Sequence, residues 1–336
     1  MKHDEIILAH GSGGRLSSDL ITGMFLPRFG NDYLNVLGDS AVLDIHGRRL
    51  CFTTDSYVIS PVFFPGGDIG SLAVNGTVND IAVCGGRPLF VSAGFILEEG
   101  LKISELEEIV ESMARAAGTA GVKIVTGDTK VVARGAADRI FINTSGIGVI
   151  DYEGEISMGR IGKGDVIIVN GTIGDHGAAV LSTREGIGFS PGLVSDCAPL
   201  TGLVEKILAA SPDIHFMRDL TRGGLASILC EAARGARSRL EIRERDIPVR
   251  EHVQGLCEVL GLDPLLFANE GKLAVFCPER DAGDVLSSMK GHEYGRDAAV
   301  IGEVTAVGMG RVILHTAVGG VREIDLPAGE LIPRIC

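Results

Sequence analysis

The sequence predicts an α/β protein of two domains, with a flexible C-terminal tail that ends on a cysteine. First, the 336 residues are enough for two domains that each have their own core. Second, each half combines strand-like runs with a helical segment, and a polar, glycine-rich stretch at 151–164 separates the halves. Third, the last eleven residues hold two prolines and a glycine, which opposes regular structure. We therefore expect domains at 1–155 and 156–325 and a mobile tail at 326–336.

The first half is predicted to contain strands with one long helix between them. Runs rich in β-branched residues are "RRLCFTTDSYVI", "PLFVSAGFIL", "VKIVTGDTKVV" and "DRIFINTSGIGVI". Between the second and third runs, apolar residues repeat at helical spacing. Ser104 and Glu107 predict a capping box at the start of this helix, and Gly118 and Gly121 predict its end.

The second half repeats the same pattern of strand, glycine turn and helix. "DVIIVNGTIG", "KLAVFC" and "AAVIGEV" are typical of buried strands, and "RDLTRGGLASILCEAA" passes from a glycine turn into a helix. No internal sequence repeat accompanies this similarity of pattern.

Charge, hydropathy and cysteine spacing exclude several classes of protein. The formal net charge of −13, with no basic stretch to offset it, argues against a nucleic-acid-binding surface. No run approaches ~20 apolar residues, so no membrane span is predicted. The seven cysteines form no CxxC pair, which argues against a zinc knuckle or a thioredoxin-type site. The charged N-terminus lacks the pattern of a signal peptide, so we expect a cytoplasmic protein with reduced thiols.

Aspartates recur at the ends of predicted strands, usually before a small hydroxyl residue: Asp39 in "LGDSA", Asp55 in "TTDSY", Asp80 in "VNDIA" and Asp128 in "TGDTK". Carboxylate oxygens are the ligands that Mg²⁺ prefers, and Mg²⁺ bridges phosphate oxygens. Lys130, two residues after Asp128, is placed to neutralise a transferred phosphate. The alternative is that Asp-Ser and Asp-Thr are ordinary turn residues, and spacing alone favours it. Neither a P-loop nor a GxGxxG motif after a strand is present.

Other candidate residues remain ambiguous when each is considered alone. Glycines in "HGSGGR" (10–15) and at Gly223 and Gly224 offer backbone N–H groups to an anion. Glu270 in "FANEGK" is either a general base or a solvated charge. His176 in "GDHG" is either a site residue or a turn residue. The internal cysteines lie in apolar runs or loops and are interpreted as structural.

Taken together, these stretches resemble the HypE-type nickel–iron hydrogenase maturation proteins, a branch of the aminoimidazole ribonucleotide synthetase superfamily. The resemblance covers essentially the whole chain, through "AHGSGGR", "TTDSYV", "VNDIAVCGGRPL", "VTGDTKV", "GTIGDHG", "MRDLTRGGLA", "FANEGK" and the terminal "PRIC". Most of these segments occur across the superfamily, whereas the terminal cysteine is specific to this branch. The fold that the resemblance implies is the two-domain synthetase-like architecture.

The resemblance implies an ATP-dependent carbamoyl dehydratase. A partner carbamoyltransferase loads a carbamoyl group on Cys336, the protein dehydrates it to a thiocyanate, and an iron-carrying scaffold complex accepts the cyanide. The implied cofactors are ATP and Mg²⁺, and a homodimer is expected from the family alone. The implied catalytic residues are Cys336, Glu270, Lys130 and Asp80. The implied metal ligands are Asp39, Asp55, Asp80 and Asp128. The implied cofactor-binding residues are Asp39, Thr53, Asp55, Asn79, Gly127, Asp128, Thr129, Asp219 and Arg222.

Two rival interpretations make different predictions. A small-molecule enzyme of the same superfamily predicts ATP turnover with a free metabolite and indifference to the loss of Cys336. A non-catalytic carrier predicts that Cys336 receives and releases a group without nucleotide binding. The four aspartates with Lys130 argue against the carrier. A nucleotide-binding measurement separates a carrier from an ATP-using enzyme.

Overall fold

The computed structural model describes residues 5–184, 192–326 and 335–336, and two large sheets dominate it. The first sheet has the strand order β1-β2-β7-β5-β6. Its strands are β1 (Ala41–Ile45), β2 (Arg48–Tyr57), β5 (Arg87–Glu98), β6 (Lys123–Val132) and β7 (Ile140–Val149), and a small hairpin pairs β3 (Phe63–Phe64) with β4 (Gly67–Asp68). Only the β5–β6 pair is parallel, and β6 forms one edge of the sheet.

Two helices, α3 (Ile69–Val83) and α4 (Ile103–Ala120), pack together beside the first sheet. The Asp68 carboxylate caps α3 by accepting hydrogen bonds from the N–H groups of Gly70 and Ser71 at 2.6 and 3.2 Å. Nearly every position of α3 is buried, because the sheet lies on one side of it and α4 on the other. Glycine permits this approach, since a Cβ at Gly76 would lie 2.3 Å from the Tyr57 hydroxyl oxygen.

The second sheet has the order β14-β13-β10-β12-β8-β11-β9. Its strands are β8 (Asp165–Val169), β9 (Phe216–Asp219), β10 (Ser238–Arg243), β11 (Leu273–Pro278), β12 (Ala299–Val307), β13 (Arg311–His315) and β14 (Val321–Ile324). The helices of this half are α5 (Asp175–Arg184), α6 (Thr201–Ala210), α7 (Gly224–Gly235), α8 (Glu251–Leu260) and α9 (Glu279–Lys290). Before the first sheet come two short helices, α1 (Arg15–Leu20) and α2 (Leu26–Phe29).

The two halves share a hydrophobic core and a polar connection. Ile59 and Leu72 of the first half pack in one buried cluster with Leu193, Val253 and Phe267 of the second. The Asn79 side chain of α3 donates to the carbonyls of Ala198 and Glu270 and accepts from the N–H of Leu200, over 2.7–3.3 Å. Within the described ranges, each hydrogen bond of this amide therefore ties the two halves together.

The strands predicted from the β-branched runs are present, but details of the predicted helix are wrong. Helix α4 begins at Ile103 after Lys102, and the predicted capping box at Ser104 and Glu107 does not form. Gly118 lies inside the helix, whereas Gly121 ends it in the left-handed conformation with φ of 72°. The two sheets and their helices confirm the predicted α/β architecture, while the boundaries 1–155 and 156–325 stay predictions.

The predicted tail at 326–336 falls largely outside the described residues, which include only Leu326, Ile335 and Cys336 of it. Leu326 is buried against the second sheet, and Ile335 is buried in the cluster shared by the two halves. Among the described residues, every helix is too short or too polar to cross a lipid bilayer.

Candidate active site

Three carboxylates meet where the two halves face each other. Asp39 lies just before β1, Asp80 lies on α3, and Asp219 ends the edge strand β9. One oxygen of each of these carboxylates lies within 4.8 Å of the others. Asp39 and Asp80 are partly buried and Asp219 is buried. The cluster therefore requires both halves of the chain.

Two neighbouring side chains hold this carboxylate cluster. The Thr53 hydroxyl of β2 lies 2.7 Å from Asp80 Oδ2 and 2.8 Å from the Asp39 carbonyl oxygen. On the other side, Arg218 Nε lies 2.7 Å from Asp39 Oδ1. Thr53 thus orients the acidic groups, and Arg218 supplies a positive charge to one of them.

The pKa values of all three carboxyl groups are raised. Burial raises the pKa of Asp39 to about 6, although Arg218 opposes the rise. Burial is also the main cause that raises the pKa of Asp80, followed by the charges of Asp55, Asp219 and Asp39. Burial and the charge of Asp39 raise the pKa of Asp219. A bound cation would relieve the repulsion among these carboxylates. Since Mg²⁺ prefers oxygen ligands, the cluster fits that ion.

The predicted ligands Asp55 and Asp128 lie in different surroundings. Asp55 accepts a hydrogen bond of 3.2 Å from the Tyr57 hydroxyl, and its charge acts on Asp39, Asp80 and Asp219. Asp128 lies on the exposed edge strand β6. The structure therefore groups Asp219, rather than Asp128, with Asp39 and Asp80. That Asp55 and Asp128 bind a metal stays a prediction.

The "GDTK" segment of β6 presents its side chains to solvent. Asp128 Oδ2 lies 2.6 Å from Lys130 Nζ, and this hydrogen bond is the main cause that lowers the pKa of Asp128. The N–H of Thr129 donates to Asp128 Oδ1 at 2.9 Å. At Gly127 a Cβ would lie 2.2 Å from the Ala93 carbonyl oxygen, so the close pairing of β5 and β6 already requires glycine.

The end of the chain lies in the cleft beside these groups. The N–H of Val58 donates a hydrogen bond of 3.1 Å to the main-chain oxygen of Cys336. Burial raises the pKa of the Cys336 thiol to about 12, with Arg222 lowering it and Glu270, Asp55 and Asp219 raising it. Arg222 is affected in turn, because the charge of Cys336 is the largest cause that raises the pKa of Arg222. In this position the cysteine is a neutral thiol.

Glu270 is buried next to the thiol. Its side chain is 3% exposed, and Oε1 has no hydrogen-bond partner within the described ranges. Burial, and then the charges of Asp219, Asp196 and Asp55, raise its pKa well above the usual value. Asp196 holds the loop by accepting from the N–H groups of Glu270 and Gly271 at 3.2 and 3.1 Å. Glu270 is therefore a fixed carboxyl group with a free oxygen.

The two glycine clusters singled out in the sequence lie against each other. The Arg222 guanidinium donates to the Gly11 carbonyl at 3.3 Å. A Cβ at Gly13 would lie 3.0 Å from the Arg222 carbonyl oxygen, and the φ of Gly13 is +78°. Gly223 and Gly224 also have positive φ values, of 78° and 60°. These glycines allow the N-terminal loop to pack on the turn that carries Arg222.

Three site features were not predicted from the sequence. Arg218 precedes Asp219, but an Arg-Asp pair in a strand belongs to no known motif, so the sequence gives no signal for its role. Asp196 pairs with Lys272 at 3.0 Å across 76 residues, so spacing gives no signal for it. His176 was left ambiguous and is fully buried in contact with Ile335. Only its position in the short "GDHG" segment pointed to it.

Comparison with known proteins gives one consistent result. Residues 37–150 match the AIR synthase related protein N-terminal domain, and residues 162–315 match the corresponding C-terminal domain. The carbamoyl dehydratase HypE of Rhodobacter capsulatus is 51% identical over 340 residues, which cover 100% of this chain and 99% of that protein.

Solved structures agree with that result. A crystal structure of a HypE–HypF complex matches with a TM-score of 0.87 and 47% identity, covering 92% of this chain and 99% of the matched one. A crystal structure of HypE in complex with ATP matches with a TM-score of 0.83 and 49% identity, covering 99% and 100%.

Proposed function

This chain belongs to the HypE family of carbamoyl dehydratases, and on that premise we propose that it uses ATP to dehydrate a carbamoyl group carried on its own Cys336. The product is a thiocyanate, whose cyanide becomes a ligand of iron in nickel–iron hydrogenase. The observation that carries this proposal is the terminal thiol lying beside Glu270, Arg222 and the carboxylate cluster.

The chemistry explains why ATP is needed. Hydroxide is a poor leaving group, so an amide does not lose water readily. When the carbonyl oxygen of the S-carbamoyl group takes the γ-phosphoryl group of ATP, ADP leaves and the oxygen becomes part of a phosphate ester. Loss of both N–H protons and of phosphate then forms the C≡N bond. The balance is one ATP and one amide in, and one ADP, one phosphate and one thiocyanate out.

Glu270 is our candidate for the proton acceptor. A carboxylate whose pKa is raised is, once ionised, a stronger base than a solvated one. Its Oε1 has no other partner in the described residues, so an N–H of the carbamoyl group can donate to it. Arg222 opposes the rise in the pKa of Glu270 and so favours the ionised base. Asp80 is a second candidate, because burial raises its pKa also.

The carboxylate cluster and the "GDTK" segment are our candidates for binding Mg·ATP. Asp39, Asp80 and Asp219 would hold Mg²⁺, with Asp55 beside them. Bound there, Mg²⁺ would neutralise triphosphate charge and polarise the transferred group. Thr53 orients Asp80, and Thr129, Asp128 and Lys130 offer polar groups at the exposed edge of the sheet. Lys130 would stabilise the negative charge that develops on the phosphoryl oxygens.

The thiol chemistry implies that the tail has two positions. With a pKa of about 12, Cys336 in the cleft has almost no thiolate at neutral pH, and the thiolate is the nucleophile of cysteine chemistry. Loading by a carbamoyltransferase, for which a HypF-type partner is proposed, therefore takes place with the cysteine outside. Dehydration takes place inside, where water is excluded from the phosphorylated group. Cyanide transfer to an iron-carrying scaffold complex needs the outward position again.

We also propose that two copies of the chain associate. The edge strand β6 has exposed residues along nearly its full length, including Ile124, Val125 and Val131. Phe52 and Phe90 of the same sheet are 45% and 43% exposed. Long, unprotected apolar edges are normally covered in native proteins, and a second copy is the occupant that the family suggests. Val131→Glu should shift the protein to monomer in sedimentation velocity, while exposed Val318→Glu should not.

The central test is the mass of the intact carbamoylated protein before and after Mg·ATP. We expect a loss of one water molecule from the peptide that contains Cys336, with phosphate released in equal amount. Cys336→Ser is the control, and it should bind ATP without any such change. ATP turnover on a free metabolite by the Cys336→Ser variant would instead support a small-molecule enzyme.

A further inference from the structure

We propose that His176, supported by Ser195, is a positioning residue that holds the tail in the cleft by binding the Ile335 carbonyl. His176 Nε2 lies 2.7 Å from the Ile335 carbonyl oxygen, and Nδ1 lies 2.8 Å from Ser195 Oγ. Ile335 directly precedes Cys336, so this contact fixes the chain one residue from the thiol.

The hydrogen bonds define one direction of donation. The N–H of Cys197 donates to Ser195 Oγ at 3.1 Å, so the Ser195 hydroxyl is free to donate its own proton to His176 Nδ1. A carbonyl oxygen only accepts, and therefore His176 Nε2 must carry the proton that it shares with Ile335. When the imidazole is neutral with its proton on Nε2, Nδ1 is an acceptor, and the Ser195 hydroxyl is the donor that matches this tautomer.

The surroundings of the ring favour this neutral form. His176 is fully buried, and Phe64 meets it edge-on with ring centroids 5.2 Å apart. Burial is the main cause that lowers the pKa of His176, and Arg184 lowers it further. The Ile335 carbonyl and the charge of Asp196 act in the opposite direction without reversing the shift.

The same geometry separates positioning from catalysis. Both ring nitrogens are engaged, so His176 has no free atom with which to exchange a proton with the carbamoyl group. A second anchor, the N–H of Val58, donates to the main-chain oxygen of the next residue, Cys336. The main-chain oxygens of two successive residues are therefore held, and the side chain of Cys336 projects from a fixed backbone.

Replacing His176 tests the proposal through the reactivity of the terminal thiol. The unloaded protein is treated with a bulky maleimide in Mg·ATP, and labelling of the C-terminal peptide is followed by mass spectrometry. His176→Phe keeps a ring but removes both hydrogen bonds, and we expect Cys336 to be labelled about 5–10 times faster, as the loss of one buried hydrogen bond implies. His176→Gln retains an N–H donor and should restore part of the protection. Ser195→Ala should have a smaller effect in the same direction.

A truncated chain distinguishes positioning of the tail from general support of the fold. The free energy of unfolding is measured for His176→Phe in the full chain and in a chain that lacks Ile335 and Cys336. If His176 acts through the tail, the substitution costs less stability in the truncated chain than in the full one. Equal costs in the two chains, or equal labelling rates for His176→Phe and the parent protein, would overturn the proposal.

The consequence for dehydration rests on the proposed function, whereas the labelling and unfolding measurements do not. In a single turnover of carbamoylated protein, His176→Phe should slow thiocyanate formation by a similar factor while leaving ATP affinity unchanged. A protein that forms no thiocyanate at all, with labelling still dependent on His176, would refute the proposed function and leave the positioning role intact.

Discussion

Arg218 Nε lies 2.7 Å from Asp39 Oδ1, and Nη2 of the same guanidinium lies 3.5 Å from Glu231 Oε2. Arg218 directly precedes Asp219 on β9. This short strand therefore contributes one carboxylate of the cluster, Asp219, and the positive charge that pairs with another, Asp39. Burial raises the pKa of Asp39, and Arg218 is the group that limits the rise. The cluster is thus held partly neutralised before any cation arrives.

Removing this counter-charge should destabilise the metal-free protein. Arg218→Met leaves the Asp39 carboxylate without its pair, and we expect a loss of about 3 kcal/mol in the free energy of unfolding by urea at neutral pH. Arg218→Lys keeps the charge and should lose less. Because Mg²⁺ supplies positive charge to the same carboxylate, it should recover more stability in Arg218→Met than in the parent. An equal effect of Mg²⁺ on both proteins would argue against a cation at this cluster.

The raised pKa values predict how the stability of the metal-free protein depends on pH. The pKa of Asp39 rises from 3.8 to about 6 in the folded chain. The folded state therefore holds this proton more tightly, and the associated stability is present below pH 4 and lost as pH rises through about 6. Asp80 and Asp219 shift in the same direction.

Thermal unfolding with and without Mg²⁺ checks this dependence. The rise in melting temperature caused by Mg²⁺ should be larger at pH 7.5 than at pH 5, and Asp80→Asn should reduce the difference. A rise of the same size at both pH values contradicts the prediction.

Substitutions in the carboxylate cluster and on β6 should affect nucleotide use in different ways. Asp219→Asn removes a carboxylate that the cluster shares, so Mg²⁺-dependent ATP turnover should be lost. Asp128→Ala removes an exposed group and should weaken ATP binding while leaving the melting temperature of the nucleotide-free protein unchanged. Phosphate release measures turnover by Asp219→Asn, and titration calorimetry measures the Mg·ATP affinity of Asp128→Ala. Normal turnover by the first variant, or parent-like affinity of the second, removes that residue from the proposed site.

Lys130→Ala and Glu270→Gln should separate loading from dehydration. Both variants should accept carbamoyl on Cys336, because neither residue is needed when the tail lies outside. Dehydration should then slow by about 100-fold or more, the usual effect of losing a general base or an electrostatic group. Quantification of thiocyanate after rapid quenching gives the rate. A variant that converts at the parent rate has no part in the reaction.

The length of the tail should matter for dehydration more than for nucleotide binding. Deleting three residues from 327–334 while keeping the terminal Ile-Cys pair shortens the reach by roughly 10 Å. We expect the thiol then to fall short of the place where Val58 and His176 bind the chain end. We expect ATP affinity to persist and thiocyanate formation to fail. Normal turnover by the shortened chain would show that the docked position of Cys336 is not the reacting one.

Strands β2, β5, β6 and β7 of the first sheet could be predicted because each run has enough β-branched residues to mark it, whereas the short strand β1 was not predicted. Helix α3 was not predicted, since its faces are all buried and no amphipathic pattern results. Asp80 on that helix was assigned to a strand end or turn for the same reason. A helix enclosed by a sheet and another helix has no polar face, so its sequence lacks the periodic pattern by which an amphipathic helix is recognised.

Individual site residues could be predicted from the sequence, but not which of them lie together. Asp39 and Asp80 were recognised from the sequence, whereas Asp219 was named only as a cofactor-binding residue. Its carboxylate joins the other two because β9 lies at the edge of the second sheet, next to α3. The contact between His176 and Ile335 spans 159 residues, and no local pattern encodes it.

Ile335 is 7% exposed and packs in the core cluster that the two halves share. A tail that leaves the cleft takes this side chain into water, and burial of an isoleucine is worth about 1.5–3 kcal/mol. On that contribution alone, the outward position is occupied by at most about one molecule in ten, and by fewer than one in a hundred at the upper value. Burial of Ile335 therefore favours return of the tail to the cleft. A partner enzyme that captures the thiol must compensate for this energy with its own contacts.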